Sequence, residues 1–208
     1  MAKRRRGYFL VLDGPDGSGK STQVALLAAR LKKAGLEVTC VRDPGGTMVS
    51  ERVRDILLDP ALGDIDSHTE MFLYMASRAE MVARVVRPAL ANGLSIVSDR
   101  FVTSTVAYQG YAGGLDPKQI LRVGKIACGD TWPDLVIILD VPAKVGFERI
   151  RRAHDRMEMK GLDYHERVVA GYRKVAAVDP KRHVLVDGRG SVETVSGRVW
   201  KAVQRALL

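Results

Sequence analysis

The chain reads as an α/β protein, a parallel β-sheet held between helices in three layers. Two observations lead to this class. Short apolar runs alternate with longer stretches whose apolar residues recur every three or four positions. The runs are short and mainly apolar, separated by helices, as expected of a parallel sheet covered on both faces. The 208 residues suffice for one domain with its own core. A hydrophobic content of 46% with 27% charged residues excludes disordered, collagenous and disulfide-scaffold classes.

Tyr8–Asp13 is the first strand and ends at Gly14. Ser21–Ala34 is a helix with Val24, Leu27, Ala28 and Leu31 on one face and Gly35 as its stop. Glu37–Arg42 is the second strand, followed by the turn Pro44-Gly45-Gly46. The tight turn before Gly45 predicts a cis Asp43–Pro44 bond. Met48–Leu58 is helical, and a long helix runs from Thr69 to Val86 behind a cap at Asp66 or Ser67. Ser95–Asp99 is the third strand, Thr103–Tyr108 a helix, Gly110–Asp116 a loop, and Pro117–Ala127 a helix. Leu135–Asp140 is the fourth strand, and Pro142–Arg152 a helix running into the charged stretch Arg151–Lys160. Helix Tyr164–Val178, strand His183–Asp187 and a last helix capped by Ser191 complete the chain.

Residues 8–208 form one domain on this reading, preceded by a basic tail over 1–7. The longest strand-like apolar run, Leu135–Leu139, is far too short to cross a membrane. The apolar stretch Tyr8–Leu12 is likewise too short for a secretory signal. Two cysteines without paired spacing, Cys40 and Cys128, suit a reducing cytoplasm. The net charge of +9 suits a polyanionic partner or simply a soluble surface, and by itself does not separate nucleotide from nucleic acid.

Ligands of a parallel sheet bind beyond the carboxyl ends of its strands. After the first strand stands Gly14-Pro15-Asp16-Gly17-Ser18-Gly19-Lys20-Ser21-Thr22, which matches G-x-x-x-x-G-K-[ST] between a strand and a helix. Glycines let backbone N–H groups turn inward around phosphate, and the helix behind points its positive end at the anion. Lys20 reaches the outer phosphates and the Ser21 hydroxyl suits Mg2+. The motif calls for a nucleoside triphosphate without choosing between hydrolysis, signalling and transfer. At the end of the third strand, Asp99 is a direct or outer-sphere magnesium partner, and Arg100 can hold two phosphates through its planar fork. Tyr74 and Arg78 share a helix face, as do Thr105, Tyr108 and Gln109, each set combining a ring with hydrogen-bonding groups that suit a nucleobase.

Arg42-Asp43-Pro44-Gly45-Gly46-Thr47, Tyr74–Arg78, Asp99-Arg100-Phe101 with Ala107-Tyr108-Gln109-Gly110, and Asp155-Arg156-Met157-Glu158 resemble bacterial thymidylate kinases, over about Phe9 to Leu207. The resemblance implies the P-loop nucleoside monophosphate kinase fold, with five parallel strands. It further implies transfer of the γ-phosphoryl of ATP to dTMP, dependence on Mg2+, and a homodimer formed through helices. By position, Tyr74 stacks the thymine, Arg78, Thr105 and Gln109 bond its edge, and Tyr108 crowds the sugar 2′ carbon. Asp16 lies near the sugar 3′-hydroxyl and the metal, Arg54 serves the acceptor, and Arg100 bridges the phosphates. Gly17 stands where other subgroups carry an arginine, so a lid over about 149–162 is expected to supply that charge. Arg149, Arg151, Arg152 and Arg156 are its candidates, with Arg151 and Arg156 expected to act in catalysis.

The departures from the family pattern are specific. Asp13 and Asp43 stand where glutamate is usual, Tyr74 adds a hydroxyl to the stacking ring, and Gly113 replaces a frequent arginine. None removes a phosphate-binding element. The alternatives are a kinase for another nucleoside monophosphate, and a nucleotide-dependent ATPase that binds nucleic acid.

Overall fold

The computed structural model describes residues 7–151 and 153–207, so the basic segment Lys3–Arg6 and Arg152 lie outside the described residues. Five strands, β1 (Phe9–Asp13), β2 (Val38–Arg42), β3 (Ser95–Asp99), β4 (Leu135–Asp140) and β5 (His183–Asp187), form one parallel sheet in the order β2-β3-β1-β4-β5. β1 is central, with Leu10 opposite Val97 on one side and Leu135 on the other. Alternate side chains of these strands enter two cores, one on each face. Phe9, Val11, Val136 and Ile138 face one layer of helices, and Leu10, Leu12, Ile137 and Leu139 face the other. All eight are at most 1% exposed, and each contributes about 1.5–3 kcal/mol of hydrophobic stabilisation.

The first layer contains α3 (Ser67–Met81), α4 (Arg87–Ala91), α5 (Val102–Thr105), α6 (Pro117–Cys128) and α8 (Leu162–Val178), with α2 (Met48–Leu58) outside α3. The second contains α1 (Lys20–Lys33) and α9 (Val192–Leu207). α7 (Ala143–Arg149) crosses the carboxyl end of the sheet beside the phosphate loop. Caps set several starts: Asp66 accepts from the backbone N–H groups of His68 and Thr69, Asp116 from Lys118 and Ser191 from Thr194.

Strands β3, β4 and β5 and helix α2 keep their expected bounds, and the Asp43–Pro44 bond is cis. Three helical expectations change. The long helix does not stop at Val86: a π-type stretch, Val82–Val86, carries it into α4, and Pro88 follows directly on that wider turn, where the regular i→i−4 ladder is already interrupted. Gly110, Tyr111 and Ala112 are helical rather than loop, because α5 widens into a π-type stretch, Val106–Ala112, packed against α8. That packing overrides the weak helix propensity of glycine. α7 ends at Arg149, three residues early, where Ile150 becomes extended.

Candidate active site

The carboxyl ends of the central strands open into a cleft of about 470 Å³. Its floor is the loop that leaves β1 at Gly14 and enters α1 at Lys20. Gly17 has φ +70°, and a Cβ there would lie 2.0 Å from the carbonyl oxygen of Gly146 on α7. Conformation and space both demand glycine at that point. Asp16, Gly17, Gly19, Lys20, Ser21 and Thr22 line the cleft, whereas Gly14, Pro15 and Ser18 shape the loop behind it. Lys20 folds back so that Nζ donates to the Pro15 carbonyl (2.8 Å) and the Ser18 hydroxyl (3.4 Å). Burial, followed by the neighbouring charge of Arg100, lowers its pKa to about 8.

The Ser21 hydroxyl donates to Asp99 Oδ2 (2.6 Å), joining the start of α1 to the end of β3 at the cleft. A hydroxyl and a carboxylate are the hard oxygen donors that Mg2+ takes. Among the described residues no cluster of three or more His, Cys, Asp or Glu could cage a metal. The Ser21 hydroxyl and the Asp99 carboxylate fit an ion that keeps phosphate and water oxygens as its other ligands.

Arg100 adopts φ +73°, the left-handed region, directly after β3. Its guanidinium donates to the Gly14 carbonyl (3.0 Å), Ser104 Oγ (3.1 Å) and the Tyr172 hydroxyl (3.0 Å), and pairs with Asp16. It also lies over the Tyr108 ring, 5.1 Å from the centroid. Burial opposes the charge of Arg100, but Tyr108, Asp16, Tyr172 and Asp13 overcome this and hold its pKa well above the ordinary value. Burial would raise the Asp16 carboxyl, yet Arg100, Lys20 and the Tyr108 hydroxyl (2.7 Å) keep it below the ordinary value. Asp13, the short carboxylate, is fully buried behind the loop. Its Oδ1 accepts from Gly14 N–H (2.9 Å), Ser104 Oγ and the Tyr172 hydroxyl (both 2.6 Å). It braces Tyr172 and Ser104, which in turn hold Arg100.

The opposite wall carries the expected base-side residues. Tyr74, Arg78, Thr105, Tyr108 and Gln109 all line the cleft, together with Arg54, which donates to the Pro44 carbonyl (3.1 Å). Arg78 is 1% exposed, pairs with Asp43, and donates to Thr105 Oγ1 (3.2 Å) and the Phe101 carbonyl (3.3 Å). The short carboxylate at position 43 thus serves as the counter-ion of Arg78.

The arginines expected to act from a lid lie in different settings, with Arg152 outside the described residues. Arg156 does not line the cleft; it is 4% exposed, pairs with Glu70 on α3 (2.6 Å) and donates to the Leu57 carbonyl (2.8 Å). These bonds tie the segment around Arg156 to α2 and α3. Arg151 is exposed and is not among the lining residues, whereas Arg149 is, with long contacts to the carbonyls of Gly17 (3.5 Å) and Gly188 (3.4 Å). Sequence reasoning missed Glu70, Gly146 and Tyr172. Glu70 is a first-turn acid of α3 that no motif marks, and Gly146 and Tyr172 acquire their roles only through contacts across the fold.

A family model described as thymidylate kinase matches residues 12–199. A protein of Synechococcus sp. strain JA-2-3B'a(2-13) named thymidylate kinase is 43% identical over 200 residues, covering 96% of this chain and 95% of the relative. The thymidylate kinase of Afipia carboxidovorans is 43% identical over 218 residues, covering 100% and 96%. That of Thermomicrobium roseum is 43% identical over 203 residues, covering 96% of each. The family model over most of the chain and the near-complete matches to relatives of one name have a single reading: the chain belongs to the thymidylate kinase family.

Proposed function

We propose that the chain transfers the γ-phosphoryl group of ATP to dTMP, giving dTDP and ADP. The observation that carries this reading is the shared cleft: Lys20 and Arg100 stand on its phosphate side, and Tyr74, Arg78 and Gln109 on its base side. Two nucleotides laid end to end would meet between them.

The reaction needs no general base. The phosphate of a nucleoside monophosphate has a second pKa of about 6, so a dianionic oxygen attacks at neutral pH. The difficulty is electrostatic, since two unit charges about 4 Å apart repel by roughly 4 kcal/mol at an effective dielectric of 20. Lys20 and Arg100 offset this repulsion and act most strongly on the charge that spreads in the transition state. Asp16 and Tyr172 fix the Arg100 fork before substrate arrives, so little reorganisation remains. Arg149, with Arg151 two residues on, supplies cationic charge from the lid. Ser21 and Asp99 would hold Mg2+, whose chemistry when bound is to neutralise phosphate oxygens. Tyr74 stacks the base, Arg78 and Thr105 meet its edge, Asp16 and Tyr108 face the sugar, and Arg54 serves the acceptor phosphate.

Exposed apolar side chains on adjacent helices, Val49 and Ile56 on α2, Phe72 on α3 and Leu121 and Ile126 on α6, support a homodimer formed through this face. No described helix is long and apolar enough to cross a membrane, and the cytoplasm suits the two unpaired cysteines.

A coupled assay of ADP release, run with ATP, Mg2+ and a panel of monophosphates, tests the function. The expected result is turnover strongly favouring dTMP. Preference for AMP or CMP would select another monophosphate kinase, and ADP release stimulated by DNA without any acceptor would select a nucleic-acid-binding ATPase.

A further inference from the structure

Glu70 is an unusual carboxylate. It is fully buried in the first turn of α3, yet three side chains from two other regions converge on it. Its Oε1 receives Arg156 (2.6 Å) and Lys160 (2.7 Å) from the lid segment. Its Oε2 receives Nε2 of Gln109 (2.9 Å), itself 1% exposed and part of the cleft wall.

An ion-paired carboxylate offers only lone pairs. Whatever faces Glu70 Oε2 must donate, so the Gln109 amide has one permitted orientation. Its NH2 points at Glu70, and its carbonyl oxygen is left for the cleft. We infer that Glu70 is a positioning residue that sets base specificity by locking the Gln109 amide as a hydrogen-bond acceptor. The inference rests on the proposed base-reading role of Gln109. A locked acceptor welcomes a ring N–H, as at N3 of thymine or uracil. It meets lone pair with lone pair at N3 of cytosine. Arg78 on the same wall is a pure donor and suits a ring carbonyl, so the two side chains together present a donor–acceptor pair that matches thymine and mismatches cytosine. The same carboxylate ties this orientation to the lid, because Arg156 and Lys160 occupy its other oxygen.

Glu70→Gln reverses the logic. Arg156 and Lys160 claim the new carbonyl oxygen, the new NH2 turns to Gln109, and the Gln109 amide must flip to accept from it. The expected result is a fall of about tenfold or more in the ratio of dTMP to dCMP affinity, measured by calorimetric titration of each monophosphate. A purely structural role for Glu70 would weaken both ligands alike, and an unchanged ratio overturns the inference while leaving the kinase reading intact. Should the variant fail to fold, the unaltered chain decides. Binding of N3-methyl-dTMP, which has no N3–H, is expected to be at least about tenfold weaker than that of dTMP, and equal binding overturns the inference. Absence of phosphoryl transfer to dTMP by the unaltered chain would overturn the kinase reading, and this inference with it.

Discussion

At the scale of single residues, the account depends on cations held ready for phosphate. Arg100 is fixed by Asp16, Ser104 and Tyr172, so Arg100→Ala is expected to lower kcat by orders of magnitude in a steady-state assay; near-normal kcat would contradict its role. Lys20 gives a pH dependence with a definite sign. Its pKa falls from 10.5 to about 8 in the folded chain, so the charged amine is present below that value and lost above it. The pH profile of kcat/KM for ATP is therefore expected to be level at neutrality and to decline above about pH 8. Unfolding would not mimic this limb through Lys20. The unfolded chain holds that proton over the window from about 8 to 10.5, so this group makes stability rise with pH there. Arg78→Ala is expected to blunt discrimination among pyrimidine monophosphates and also to strand the buried Asp43 charge, at a cost of about 3–5 kcal/mol in denaturant unfolding. Arg78→Met with Asp43→Asn is expected to recover part of that stability without restoring discrimination. Lys20, Arg100 and Arg78 were legible in the sequence because each stands in a motif whose chemistry names the residue type. The partnership of Arg78 with Asp43 was not, since 35 residues separate them and only the fold brings them together.

Among the elements, the phosphate loop depends on α7. The loop and the helix pass so closely that a Cβ at Gly146 would lie 2.3 Å from the Asp16 carbonyl oxygen. Gly146→Val is thus expected to push the loop out of place, lowering the melting temperature by several degrees and weakening ATP binding more than dTMP binding. Equal loss of both affinities would point to general unfolding. The lid is expected to gain protection from proteolysis within about residues 149–162 when ATP and dTMP are both bound, and unchanged cleavage would argue against closure. Strands were read closely because an apolar run between glycines and acids has sharp ends. Helix ends were harder. Helix runs on from Val82–Val86 past Pro88, and Val106–Ala112 runs through Gly110, because burial of Val82 and Val86 in the core and packing on α8 reward helix where local propensity does not. The Glu70 cluster was invisible for a related reason: its partners lie 39, 86 and 90 residues away.

For the molecule as a whole, the sheet order places β1 and β3 side by side, and this adjacency brings the phosphate loop and Arg100 into one cleft. The apolar face of α2, α3 and α6 belongs to the same scale. Phe72→Asp is expected to convert a dimer to a monomer in light scattering, and a wild-type monomer would remove that face from the account. The central claim is that one cleft passes a phosphoryl group from one nucleotide to another, with water excluded. Its most direct measurement follows the label from γ-32P ATP in the presence of Mg2+ and dTMP. The account predicts radioactivity in dTDP, matched mole for mole by ADP; label released as inorganic phosphate, with dTMP unchanged, would contradict it.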